Sequence, residues 1–315
     1  MTISERPICR ELRRPKSQGS AIRVSGITPN RSLKKMKKEL IFGAAALGNR
    51  YGQYAAPRGK VLDERQSEIL PSAHEHGFTA VDTAPAYGMS EKVIGKSGWV
   101  GEIHTKLNDS LDPVTSVRDS LQKLQRSKLD LLYLFHEPSA WMAKSVSEQL
   151  KILESLRPYA GRFGVSVYET GGLGSLLAAD WIDVIQVPGN IWDQDLLNFL
   201  KNSNGRRPKV FVRSIFLQGL LLRPKLPRGF EPLQSLADEL TALSNETGRS
   251  RMELAAGWVL SQEHVDGIIL GAQSATELEQ ISETLKSRPL NADEISALAA
   301  INQPARSVVD PRNWK

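Results

Sequence analysis

The chain of 315 residues holds one cysteine, Cys9. That excludes an internal disulfide and a cysteine-rich metal site, and fits a reducing compartment. Apolar runs of membrane-spanning length are missing; the best stretches, 129–135 and 267–270, are strand-sized. There is no apolar segment near the N-terminus of the kind a secretory signal needs. Gly/Ser linkers and composition breaks that would mark a second domain are also missing after residue 40. A hydrophobic share of 40% with 24% charged residues excludes collagen-like, coiled-coil and wholly disordered chains. A cytoplasmic protein outside the membrane is therefore expected.

The net charge of +6 invites a nucleic-acid reading, which its distribution opposes. Residues 1–40 hold 11 Lys/Arg and 3 Glu, a net of +8, so the other 275 residues carry a net of −2. Residues 1–35 show no helical or strand period, are broken by Pro7, Pro15 and Pro29, and have no aromatic residue on which a base could stack. They read as a disordered basic extension, a transit segment without a clean amphipathic helix, or sequence upstream of a true start at Met36. The folded unit is expected to be 36–315, with no nucleic-acid partner; a tail tethering by charge alone is the rival reading.

From residue 40 the chain alternates short apolar runs with amphipathic stretches. Strands are expected at 40–45, 79–82, 102–106, 129–135, 163–167, 183–187, 209–214 and 267–271, and helices between them and at 275–286. Asp112-Pro113 and Ser90-Glu91 suit helix starts, whereas Pro71 should kink or shorten the first helix. Eight βα units in about 250 residues match a closed (β/α)8 barrel (a TIM barrel) in one domain. Two extra helices are expected at 232–246 and 291–302. The rival, an open doubly wound sheet, lacks its fingerprint: Gly43–Gly48 is poor in glycine, and Gly171-Gly172-Leu173-Gly174 reads as a tight turn.

In a barrel, chemistry sits where strands end. The second strand ends in Asp82, the third in Lys106 and the fourth in His136, with Tyr87 on the adjoining loop. Each has a plainer role: Asp82 accepting backbone amides, Lys106 reaching solvent, His136 packing, Tyr87 capping the rim. Their convergence on one mouth favours chemistry.

The run Gly77-Phe78-Thr79-Ala80-Val81-Asp82-Thr83-Ala84-Pro85-Ala86-Tyr87-Gly88-Met89-Ser90-Glu91-Lys92-Val93-Ile94-Gly95 resembles the signature of the aldo-keto reductases. Thr105-Lys106, 130–136, 164–168, 183–188, 213–221 and 269–274 extend the resemblance in order, from about residue 39 to the C-terminus. It implies hydride transfer between a nicotinamide cofactor and a carbonyl, without a metal. The family's tetrad falls on Asp82, Tyr87, Lys106 and His136. In that scheme Tyr87 gives the proton, Lys106 lowers its pKa, Asp82 fixes Lys106, and His136 directs the carbonyl oxygen.

The same resemblance assigns cofactor contacts to Ser166, Gln186, Arg213, Ser214, Leu217, Gln218, Gly219, Gly271, Gln273, Ser274, Glu277 and Gln280. It also implies NADP(H) ahead of NAD(H). Departures stand beside it. Val167 replaces a frequent asparagine, Arg213 stands where many members have a stacking tyrosine, and Gln273 and Glu277 replace residues that favour a 2′-phosphate. Tyr51, Glu137, Trp192 and Phe216 are expected to line the substrate opening, though Trp192 and Phe216 could equally pack the rim. Gly189, in place of an aromatic, should widen the opening or loosen its loop. The stretch 43–52 resembles a bacterial branch acting on sugars or sugar-derived aldehydes. A small carbonyl substrate and a monomer or weak homo-oligomer are expected; the rival is a nicotinamide-binding regulatory subunit, as in potassium-channel β subunits.

Overall fold

Alternating strand and helix segments close into a ring. The computed structural model describes residues 38–48, 62–134, 141, 143–203 and 207–314. The expectations for the segment 1–35, for Met36 and for Tyr51, His136 and Glu137 lie outside the described residues. Strands β1 (Glu39–Gly43), β2 (Ala80–Asp82), β3 (Glu102–Lys106), β4 (Leu129–Tyr133), β5 (Ala160–Ser166), β6 (Val184–Pro188), β7 (Lys209–Arg213) and β8 (Gly267–Leu270) pair in parallel. Each neighbours the next, and β8 returns to β1 through Glu39–Phe42. This is the expected (β/α)8 barrel.

Helices α1 (Ala45–Gly48), α2 (Leu62–Glu75), α3 (Ser90–Lys96), α4 (Pro113–Leu124), α5 (Val146–Leu156), α6 (Leu173–Leu177) and α7 (Asp195–Asn202) follow the first six strands. Then come α8 (Gln234–Thr247), α9 (Arg251–Ser261), α10 (Ala275–Lys286), α11 (Ala292–Ala300) and α12 (Arg306–Val309). The two helices expected beyond the minimal barrel are α8 and α11. Local chemistry starts these helices. Asp112 accepts hydrogen bonds from the Val114 and Thr115 amides ahead of Pro113, and capping boxes pair Ser145 with Glu148 and Ser250 with Glu253. Pro71, expected to kink or shorten this helix, lies inside α2, which continues to Glu75. It lies on an exposed face, where water can take the carbonyl its ring leaves unpaired.

Strand pleating sends alternate residues inward. Ile41, Ala80, Leu131, Tyr133, Val184, Phe211 and Ile269 form the apolar interior of the ring, while the larger cluster lies between ring and helices. Two bulky rings are admitted by glycines opposite them. A Cβ on Gly164 would lie 2.9 Å from the Tyr133 ring and 2.8 Å from the Val184 carbonyl; one on Gly267 would lie 2.7 Å from Phe211. Gly164→Ala is expected to cost about 1–3 kcal/mol by overpacking, measured by urea unfolding; an unchanged midpoint would contradict this packing.

Below the apolar layers the N-terminal end of the ring is ionic. Arg162 reaches Glu102 at 2.5 Å, Lys209 reaches Glu39 at 2.5 Å, and the buried His104 ring contacts Glu102 at 3.0 Å while stacking on Phe211. The His104 hydrogen bond, aided by the Arg162 charge against partial burial, holds the Glu102 carboxyl at about 2. The C-terminal end of the ring is left for chemistry.

Candidate active site

The inward positions at the C-terminal strand ends are polar. Registers place Asp82 on β2 against His104 and Gly43, Lys106 on β3 against Tyr133, and Ser166 on β5 against Gln186 on β6. Lys106 Nζ donates to Asp82 Oδ1 at 2.8 Å and to the Thr83 carbonyl at 2.9 Å. Gln186 Nε2 donates to Asp82 Oδ2 at 2.7 Å, and Ser166 Oγ donates to Gln186 Oε1 at 3.0 Å. Both Asp82 oxygens are thus satisfied, and the ion pair is nearly sealed, with 4% of each side chain exposed. Removing either partner would strand a buried charge.

Tyr87 sits above this pair in a 3₁₀ turn, Pro85–Tyr87, with Lys106 Nζ 5.2 Å from its ring centroid. The turn is anchored from behind: Thr83 Oγ1 and Ser90 Oγ lie 2.9 Å apart, and Ser90 Oγ donates to the Ala44 carbonyl. The residue is half-buried and lines a cleft. Burial pushes the Tyr87 phenol well above its ordinary value, Asp82 adds to that, and Arg213 opposes it. Lys106, expected to lower that value, faces the Tyr87 ring. Its positive charge is compensated by the Asp82 carboxylate 2.8 Å away.

Tyr133 is a member of the cluster that strand-end reasoning passed over. It is fully buried, with Lys106 Nζ 5.4 Å from its ring and its hydroxyl facing Gln186 without a well-formed hydrogen bond. Its place on β4 as the register partner of Lys106 was the available signal.

A cleft of about 290 Å³ opens from Asp82 and Tyr87 and runs past Arg213, Ser214, Phe216, Gln218 and Gly219 to Gly271, Gln273 and Glu277. Its strand-end wall is bare: a Cβ on Gly43 would come within 3.2 Å of Ile269, and one on Gly271 within 3.2 Å of the Gly43 carbonyl. The lip is a left-handed turn in which Ser214, Leu217, Gln218 and Gly219 all have positive φ. Ser274 caps α10 by accepting from the Glu277 amide, and the Glu277 carboxylate accepts from the Gln273 amide at 2.7 Å.

Most expected cofactor contacts thus meet in one groove, with exceptions. Leu217 is buried beneath the lip, and Ser274, which caps α10, and Gln280, exposed on α10, are outside the cleft lining. Ser166 and Gln186 stand under the groove, tied to Asp82. Phe216, expected at the substrate opening, lines this same cleft. Trp192, also expected there, is wholly buried in the core outside the ring, because Asn190 turns the chain by accepting from the Trp192 amide. Gly189 widens nothing: the space for its side chain is taken by Leu197 and Val212. Arg223 and Leu222 line the cleft without having been expected.

The groove suits a nicotinamide dinucleotide. It is elongated, bare on one wall, and bordered by the buried Arg213 Nη2, which has no hydrogen-bond partner. Among the described residues no group of three or more His, Cys, Asp or Glu side chains could hold a metal, and no helix is long and apolar enough to cross a membrane.

Comparison with known proteins agrees with this geometry. The chain is 27% identical over 266 residues to aldo-keto reductase YhdN of Bacillus subtilis, covering 70% of this chain and 79% of that one. It is 27% identical over 305 residues to D-arabinose 1-dehydrogenase of Saccharomyces cerevisiae, covering 82% and 86%. The fold superposes on aldo-keto reductase AKR11C1 of Bacillus halodurans in its holo form, with a TM-score of 0.67 at 24% identity over 85% of this chain and 95% of that one. For the glycerol dehydrogenase AKR11B4 of Gluconobacter oxydans the TM-score is 0.65 at 21% identity, over 83% and 90%. The sequence model of the Aldo/keto reductase family matches residues 39–303, and with that span the chain belongs to the family and is an NAD(P)H-dependent oxidoreductase.

Proposed function

We propose that the protein reduces the carbonyl of a sugar or sugar-derived aldehyde, with Tyr87 giving the proton. The observation that carries this reading is the junction at Asp82 and Tyr87, where the sealed Lys106–Asp82 pair meets the head of the cleft. Bound there, a reduced nicotinamide supplies a hydride to the carbonyl carbon. Arg213, Ser214, Gln218 and Gly219 would hold the dinucleotide along the lip, and Gly271 and Gln273 its far end.

As hydride arrives, the carbonyl oxygen gains negative charge and needs a proton. A phenol whose pKa is pushed up by burial stays protonated at neutral pH but is a weaker acid, so it needs help to release that proton. Lys106 faces the Tyr87 ring, and its charge stabilises the phenolate left behind. Asp82 and Gln186 keep Lys106 from swinging away. His136 is assigned the carbonyl-directing role that the sequence resemblance implies. The substrate class rests on the name of one relative, a D-arabinose dehydrogenase, and on the sequence between Gly43 and Gly52. For the cofactor, family habit favours NADP(H), while the Glu277 carboxylate at the start of α10 would repel a 2′-phosphate.

The test is steady-state oxidation of NADPH and of NADH with a panel of aldoses, hydroxyaldehydes and simple ketones. Turnover of at least one aldose or hydroxyaldehyde is expected, at a rate that barely changes between pH 6 and 8 because Tyr87 remains protonated. No turnover of any carbonyl would sink the proposal.

A further inference from the structure

The C-terminal segment touches the cleft through a stack of three side chains. Arg213 Cζ lies 4.1 Å from the centroid of the Tyr168 ring, and Arg312 Cζ lies 4.0 Å from the same centroid. Two guanidinium groups cannot share one face of a ring at that height, so they cover opposite faces. Tyr168 is thus clamped between a residue of the cleft and a residue of the C-terminal turn.

The outer member of this stack is firmly set. Arg312 Nε donates to both Asp310 oxygens at 3.1 and 2.9 Å, its Nη2 donates to Asp310 Oδ2 at 2.6 Å, and Glu169 stands 3.5 Å away. Asp310 itself is 6% exposed. The turn is fixed in its place by Trp314, whose Nε1 donates to the Val308 carbonyl and whose indole meets Phe230 edge to face at 4.9 Å. A two-point carboxylate grip sets the plane of Arg312, and so the face that Tyr168 can rest on.

The inner member is set on one side and open on the other. Arg213 Nη1 makes one long contact, 3.4 Å to Ser214 Oγ, and its buried Nη2 has no partner. A guanidinium donor left unpaired away from water is costly unless an acceptor arrives. Arg213 lines the cleft, so the acceptor would arrive with whatever the cleft holds.

We propose that Arg312 is a positioning residue of the cofactor cleft: acting through Tyr168, it holds the Arg213 guanidinium with its open donor aimed at an oxygen acceptor of the bound nicotinamide dinucleotide. This rests on the cofactor reading of the cleft given above. Arg312 touches neither cofactor nor substrate. Its effect is to remove the freedom of a side chain that otherwise has many rotamers, so that Arg213 is ordered before the ligand binds. Shape and charge both matter in this role, since the stack needs a cation over the ring face.

The experiment titrates the full chain with NADH and, separately, with NADPH, following quenching of its intrinsic fluorescence. Arg312→Met is expected to weaken the tighter cofactor by about threefold to tenfold, the range one cation–π contact spans. Arg312→Lys should recover at least half of that loss. Tyr168→Leu, which removes the ring, should weaken binding to a similar degree and covers the case in which Arg312→Met fails to fold. In an Arg213→Met background, Arg312→Met should add almost nothing, because its route to the cleft is gone. Equal affinity of Arg312→Met and parent, or a loss that persists undiminished in the Arg213→Met background, would overturn the proposal. A parent chain that binds neither cofactor would overturn it together with the cofactor reading. A parent that binds, with fully additive single variants, would overturn the clamp alone.

Discussion

Tyr87→Phe is expected to lower kcat for carbonyl reduction by about 10²- to 10⁴-fold, the range a positioned general acid contributes. Cofactor affinity should stay within about threefold, since the change removes a single hydroxyl. The ring that Lys106 faces remains, and so do the hydrogen bonds from Lys106 to Asp82 and Thr83. Tyr133 cannot take over the task. Its hydroxyl lies inside the barrel, with 0% of the residue exposed, and it does not line the cleft. Steady-state kcat together with a cofactor titration separates chemistry from binding. A variant retaining more than about a tenth of the parent rate would show that the proton comes from elsewhere.

Arg249→Met is expected to be among the most destabilising single changes, at about 3 kcal/mol. Arg249 is 5% exposed and makes four bonds that tie the start of α9 to α11: Nε and Nη2 to the two Glu294 oxygens, Nη1 to the Arg288 carbonyl and Nη2 to the Pro289 carbonyl. The variant takes a donor from the Arg288 and Pro289 carbonyls and leaves the buried Glu294 carboxylate only Arg288 Nη2 and the Asn291 amide. For a barrel of this size the loss corresponds to a melting temperature lower by roughly 6–12 °C. Calorimetry checks it; a shift below about 2 °C would mean that water replaces these bonds without penalty.

The pair also sets an acid limit. The Arg249 hydrogen bond is the chief influence holding Glu294 down at about 2. The unfolded carboxyl titrates near 4.3. A depressed folded value contributes stability that is complete above about 4.3 and disappears as pH falls through about 2. The parent should therefore lose its advantage over Arg249→Met across that acid range.

Strand and helix periods were readable because each barrel strand has one face in the ring and one under helices, which gives apolar runs of uniform length. All eight strands fall within a few residues of expectation. The overruns at 44–45 and 134 have a common cause: these residues continue the apolar pattern after the pairing register has ended. Asp82 and Lys106 were legible for a different reason. A buried ammonium needs a carboxylate, and two strand ends on adjacent strands bring them together. Trp192 shows the limit of the same logic. Its position after β6 suggested the opening, but direction after a strand is set by the turn that Asn190 makes, and type alone does not carry that. Tyr168 with Arg312 was invisible because a contact between residues so far apart in sequence leaves no periodic trace.

The hydrogen bond from Gln186 to Asp82 joins β6 to β2 across the inside of the ring, over a separation of 104 residues. Together with the closure of β8 on β1, it means that Asp82, Tyr87 and Lys106, although all in the first half of the chain, are enclosed only once the second half is in place. A collapsed intermediate with most strands paired would still leave Asp82 and Lys106 without their enclosing walls. Catalytic power in this molecule is thus all-or-none in assembly. Recovered turnover after denaturation counts closed rings, whereas recovered helix signal counts only the parts from which they are made.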